Sequence, residues 1–124
     1  MTCGTQAVEI ETLVRAILAG DLIAAREWIA DARRCDFSWH SVGQPVGLNE
    51  DELVVAAGLL ELLAQRDGLS APAWTAGVQA ASELIILDPG LERMRRTFER
   101  ARTEGPEPLR RRNIVAPSDF LKIA

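Results

Sequence analysis

Cys35 and His40 lie five residues apart, and no other pair in the chain comes as near to a nucleophile and its base. Such a pair works only when the base is within hydrogen-bond reach and a third group orients it. No elbow motif or second polar constellation accompanies these two, and His40, the single histidine, reads as a loop or packing residue. Cys3, Cys35 and His40 also fall short of a zinc site, which takes three or four ligands at short spacings. No catalytic, metal or cofactor residue is assigned on these grounds. An enzyme built on Cys35 and His40 is kept only as a third reading.

The carboxylates group as Glu9/Glu11 and Glu50/Asp51/Glu52. The second group sits where a helix begins, and anions there are stabilised by the helix dipole. General acid–base work would need burial that a first helical turn rarely gives. Gly43-Gln44-Pro45-Val46-Gly47 lacks the Lys and Ser/Thr of a phosphate loop, and Pro45 removes one amide donor.

The arginines carry more information. Arg93, Arg96 and Arg100 recur at helical spacing with Glu92 and Glu99. They read either as a solvated face of three- and four-residue ion pairs or as a recognition surface for an acidic protein or nucleic acid. Arg110-Arg111-Arg112 differs, because three adjacent charges on a helix cannot all point one way. At least one should lie against the protein and hold an acid or a carbonyl, a task suited to the guanidinium fork.

These residues need elements to hold them. Ile10, Leu13, Val14, Ile17 and Leu18 share one face of a helix expected over about 7–19. Gly20 and Asp21 then stop it and cap a second helix over 22–34, striped by Leu22, Ala25, Trp28, Ile29 and Ala32. So short a connection implies an antiparallel hairpin. Residues 35–48 form a loop with Phe37 and Trp39 as anchors. Asn49 with Glu52 makes a capping pattern for a third, central helix that ends at Gly68.

The rest is less regular. Residues 69–77 contain Pro72 and Trp74. The run Leu84–Leu87 could end a helix or form a short buried strand, and periodicity does not decide. Asp88-Pro89 caps a basic helix expected over 90–103, with Leu91, Met94 and Phe98 inward. One or two helical turns follow over 106–112, then an extended 113–117. Ser118 caps a last turn carrying Phe120, Leu121 and Ile123. The expected class is mainly all-α: a bundle of about five helices, with residues 68–124 packed on a core formed by 1–67 in one domain.

Composition agrees with that class. The chain has 124 residues, 48% of them apolar, with no Tyr and few aromatics. Leu, Ala, Glu and Arg favour helix over sheet. The net charge is −4, made of −6 over residues 1–68 and +2 over 69–124. Neither half has the excess expected of a domain held mainly by phosphate contacts. Cys3 and Cys35 read as free thiols in a reducing cytosol. The first residues lack the basic and apolar regions of a signal peptide, and the apolar runs are too short to span a membrane, so a cytoplasmic protein is expected.

Ala71-Pro72-Ala73-Trp74, the run Leu84–Leu87, the box Glu107-Pro108-Leu109-Arg110-Arg111-Arg112-Asn113-Ile114-Val115 and the tail Asp119-Phe120-Leu121 resemble a C-terminal region found in small bacterial proteins, especially those of high-GC actinobacteria. The resemblance covers roughly 68–124. Those among them that carry a further domain at the front look like antitoxins and are often encoded beside nucleotidyltransferase-like toxins. Some begin with a helix-turn-helix domain, which the acidic residues 1–67 do not match.

The resemblance implies a non-enzymatic protein-binding module that neutralises or regulates a partner, with such a toxin as one candidate, by covering its surface. Trp74, Arg93, Arg96, Arg110, Arg111, Arg112 and Phe120 are the candidate partner-binding residues, because Trp and Arg favour interfaces; Trp74 and Phe120 also fit a core role. The alternative is a DNA-binding regulator using helix 90–103. Helices apolar on more than one side leave a homodimer open.

Overall fold

The computed structural model describes residues 6–34 and 39–121. Cys3, Cys35, Phe37, Lys122 and Ile123 lie outside that range, and with them the suggested Cys35/His40 pair; His40 itself is exposed. The described residues are mainly helical. They form α1 (Gln6–Leu18), α2 (Leu22–Arg34), α3 (Glu50–Arg66), α4 (Arg95–Glu104) and α5 (Glu107–Arg110). Three 3-10 turns and a parallel pair, β1 (Ile85–Ile86) and β2 (Ile114–Val115), complete them.

The first two helices form the expected hairpin. Gly20 takes a left-handed φ of 81°, which lets the Asp21 amide reach back 2.9 Å to the Ala16 carbonyl. The Asp21 carboxylate then accepts from the Ala24 amide at 3.1 Å and caps α2. Ile10, Leu13, Val14 and Ile17 are all buried, whereas Leu18 turns outward at the end of the stripe.

The central helix α3 begins with a complete capping box. Asn49 accepts from the Glu52 amide at 2.8 Å, and the Glu52 carboxylate accepts from the Asn49 amide at 2.9 Å. Ten of its 17 residues are buried, so it is enclosed on nearly every side. Gly58 permits the closest approach. A Cβ there would stand 2.8 Å from Leu109 Cδ2 and 3.5 Å from the Pro108 carbonyl, which sets α5 directly against α3. At the end of α3, Gly68 adopts φ 69°, and the Leu69 amide donates to the Ala64 carbonyl at 2.8 Å.

The second half settles one open point and departs from one expectation. The Leu84–Leu87 run, open between helix and strand, holds the short strand β1. The Ile85 and Leu87 amides donate to the Asn113 and Val115 carbonyls, each at 3.0 Å, in the register Ile85 to Ile114 and Ile86 to Val115. β-Branched Ile85 and Ile86 suit that pairing, and Pro89 disfavours helical backbone at Asp88. The expected single helix over 90–103 is instead a 3-10 turn (Pro89–Arg93) and α4, separated by Met94 at φ −121°, ψ 81°. Gly90 and the like charges of Arg93, Arg95 and Arg96 both weaken a continuous helix there. The break turns Met94 outward, 56% exposed, while Leu91 stays buried.

One apolar cluster runs through the molecule, from Ile10 and Leu13 in α1, through Leu59, Leu60 and Leu63 in α3, to Leu109, Ile114 and Phe120 near the C-terminus. A smaller cluster of Leu91, Ala101 and Val115, with Ile86 and Phe98, seats α4 over the strand pair. No helix among the described residues is long and apolar enough to cross a membrane.

Gly105, between α4 and α5, has no room for a side chain: a Cβ would come within 2.5 Å of both the Ala101 and Ala116 carbonyls. Gly105→Ala should therefore lower the unfolding free energy by about 1–3 kcal/mol in urea titrations, the usual cost of overpacking. Gly43→Ala, where nothing lies within 4 Å, should stay within about 0.5 kcal/mol of the parent.

Candidate partner-binding surface

The Arg110–Arg112 run divides along the geometry of α5 and the turn after it. Arg112 points inward and is 4% exposed. Its Nη2 donates to the Thr75 carbonyl at 2.7 Å and to Glu61 Oε2 at 3.0 Å, while Nη1 donates to Glu61 Oε1 and to the Pro108 carbonyl. Arg111 is exposed and also donates to Glu61, with Glu107 3.8 Å away. The hydrogen bond it donates to Glu61 holds its guanidinium pKa above the ordinary arginine value. Arg110 is exposed, and its Nε donates to the Gly105 carbonyl at 2.6 Å. One arginine thus lies against the interior, holding an acid and two carbonyls, and the other two stay at the surface.

Glu61 was not visible as a functional residue from the sequence. The available signal was its isolation, as the single charge within the apolar stretch Leu53–Ala64. A lone charge on a helix face otherwise bound for the core calls for a buried counter-charge.

Trp74 and Thr75 belong to the 3-10 turn Ala73–Gly77. Trp74 is half-buried against the main cluster, and its indole donates to the Val42 carbonyl at 2.8 Å, tying loop 39–48 to this turn. Thr75 is buried, and its hydroxyl donates to the Pro72 carbonyl. Because Arg112 reaches the Thr75 carbonyl, the Pro72–Trp74 segment and the arginine box, far apart in the chain, meet over α3.

Phe120 is 3% exposed and belongs to the main cluster. Its carbonyl and that of Ser118 accept from Arg66, which burial and the nearby Arg33 push below the ordinary arginine pKa against the pull of Asp119. Arg112 and Phe120 are therefore withdrawn from the candidate surface set. Apolar packing holds Phe120 inside, and the bonds of both terminal guanidinium nitrogens to Glu61 and to carbonyls hold Arg112 there, so neither offers a face to a partner. Trp74 keeps one exposed edge.

Arg93 and Arg96 remain outward, together with Arg95, which the first set omitted. No ion pair joins any of the three to a side chain that the structure describes, whereas Arg100 pairs with Glu104 and Arg102 with Glu99 within α4. Met94, within the same run, is apolar and 56% exposed, while Leu84, 43% exposed, lies with Arg102 and Arg110. A cleft of about 390 Å³ lies between β1 and α4, lined by Ile86, Arg95, Phe98 and Glu99. A larger groove of about 550 Å³ runs from the first turn of α3 to residues 77–82, with Glu50 and Asp51 on one wall and Trp74 and Val78 on the other. Among the described residues, no three His, Cys, Asp or Glu side chains are grouped to hold a metal.

Arg111→Ala should cost no more than about 1 kcal/mol of stability, as for an exposed ion pair. Arg112→Ala should cost about 3–5 kcal/mol, because it leaves the Glu61 carboxylate without its buried partner. Urea unfolding of the two variants checks the asymmetry. Comparison of the chain with protein-family models, with curated proteins and with solved structures finds no match.

Proposed function

We propose that this chain is a non-enzymatic protein-binding module that neutralises or regulates a partner protein by covering part of its surface, in the manner of an antitoxin. The supporting observation is the surface around the start of α4. Arg93, Arg95 and Arg96 are exposed there around exposed Met94. Guanidinium groups next to accessible apolar side chains make the composition that protein interfaces favour. The buried tie of Arg112 fixes β2, and the Leu91, Ala101 and Val115 cluster seats α4 on it, so little ordering entropy is lost on binding. The C-terminal resemblance to antitoxin-like proteins points the same way, and it makes a nucleotidyltransferase-like toxin the first partner to try. A cytoplasmic setting suits such a pair.

Co-expression of the chain with the product of the adjacent gene should give a complex that co-elutes in gel filtration and suppresses any toxicity of that product. Arg93→Glu with Arg96→Glu should weaken the complex at least tenfold without altering the unfolding midpoint. A neighbouring product that is harmless alone and forms no complex would remove this reading. A mobility shift of duplex DNA with a steep salt dependence would favour a DNA-binding regulator instead.

A further inference from the structure

Among the described residues, the strand pair β1–β2 has no third strand on either edge. On the β2 side, the Ala116 carbonyl abuts Gly105 at the end of α4. On the β1 side, the Ile85 and Leu87 amides are spent on β2. Backbone groups alternate along a strand, so those of Leu84 and Ile86 point the other way. Neither amide has a hydrogen-bond partner among the described residues. An exposed edge of this kind is a template for another chain, and a two-stranded sheet gains most from a third strand.

Side chains beside that edge add two further properties. Leu84 and Ile86 share the face of β1 that looks toward α4, and Ile86 forms the floor of the 390 Å³ cleft with Phe98. An apolar side chain of an incoming strand would find a seat there. The rim is basic: Arg95 lines the cleft, and Arg93 and Arg96, both exposed, flank it in the chain. Glu99, which also lines the cleft, is already engaged by Arg102 at 3.8 Å.

We infer that the open edge of β1 accepts an extended, acidic segment of the partner protein as a third strand, with apolar side chains in the Ile86–Phe98 cleft and carboxylates against Arg93, Arg95 and Arg96. The inference rests on the protein-binding reading above and names its site and mode. Main-chain pairing would supply affinity, and the cleft and rim would supply selectivity. Charge decides the occupant. A second copy paired edge to edge would bring its own three exposed arginines against these three, a like-charge arrangement that disfavours it. Nucleic acid would leave Leu84 and Met94 unmatched.

The test uses the full chain and a fluorescein-labelled peptide of about eight residues, a common strand length, built from Val, Thr and Glu. Three comparisons accompany it: the same peptide with Lys for Glu, the same peptide N-methylated at alternate amides, and the protein carrying Arg93→Glu, Arg95→Glu and Arg96→Glu. Saturable binding of the acidic peptide is expected by anisotropy, at least tenfold weaker in each comparison. Amide exchange at Ile86 should slow at least tenfold in the complex, with a smaller change at Leu87, which already donates to Val115. Equal binding of the N-methylated peptide, or an unchanged Ile86 amide, would overturn strand addition. Self-association that blocks the peptide, or preferential binding of duplex DNA, would overturn the choice of occupant. If the neighbouring product co-elutes yet Ile86 is unprotected in that complex, the edge is excluded while the occluding role stands. If the peptide binds as described and no protein co-elutes, the edge stands and the antitoxin-like role fails.

Discussion

The arrangement of the second half depends on one buried ion pair, Arg112 with Glu61. Arg112 sits in the turn between α5 and β2, so its position fixes both at once. Glu61 holds it from α3, and the Thr75 carbonyl holds it from the turn over α3. Placing α5 sets Leu109 into the space above Gly58. Placing Asn113 and Ile114 sets the register of β2, and hence of β1. Asn113 reinforces this with a left-handed φ of 66°, which asparagine tolerates better than most residues, and a side-chain bond to the Ala81 carbonyl at 3.2 Å. Burying two charges is costly, and the geometry offsets this by using both carboxylate oxygens and both terminal guanidinium nitrogens. Only Arg112 Nε is left without a partner.

Two further polar ties repeat the pattern at lower burial. Arg66, in the last turn of α3, donates to the Ser118 and Phe120 carbonyls and holds the final turn against the helix. Asp67 accepts from Arg33 at 3.0 Å and from the Trp39 indole at 2.8 Å, joining α2 and the 39–41 turn to the same end of α3. The arginines thus fall into two groups. Arg33, Arg66 and Arg112 bind acids or carbonyls of distant segments, a role that uses a fixed planar fork and a charge that persists on burial. Arg93, Arg95 and Arg96 carry no such assignment and face solvent.

Much of the frame was legible in the residues. The α1–α2 hairpin follows from the Gly20-Asp21 pair and two apolar stripes, and the start of α3 from Asn49 and Glu52. These signals are local, so a sequence exposes them. The inward turn of one arginine among Arg110–Arg112 was also readable, since three adjacent charges cannot share a face, but its partner was not: Glu61 lies some fifty positions away. Leu84–Leu87 stayed ambiguous because its conformation is set by pairing with 113–115. The helix expected over 90–103 failed at Met94, where backbone and charge crowding outweigh a fair apolar spacing. Phe120 and Arg112 fit an interface by residue type alone, and only packing places them inside.

A double-mutant cycle on Glu61→Leu and Arg112→Met, followed by urea unfolding, tests the dependence on the buried pair most directly. The account predicts that each single change is severe and that the double variant recovers part of the loss, with a coupling energy of about 1.5–3 kcal/mol, the upper range for residues in contact. Two additive effects, coupled by less than about 0.5 kcal/mol, would show that the C-terminal region is held on α3 by something other than this pair.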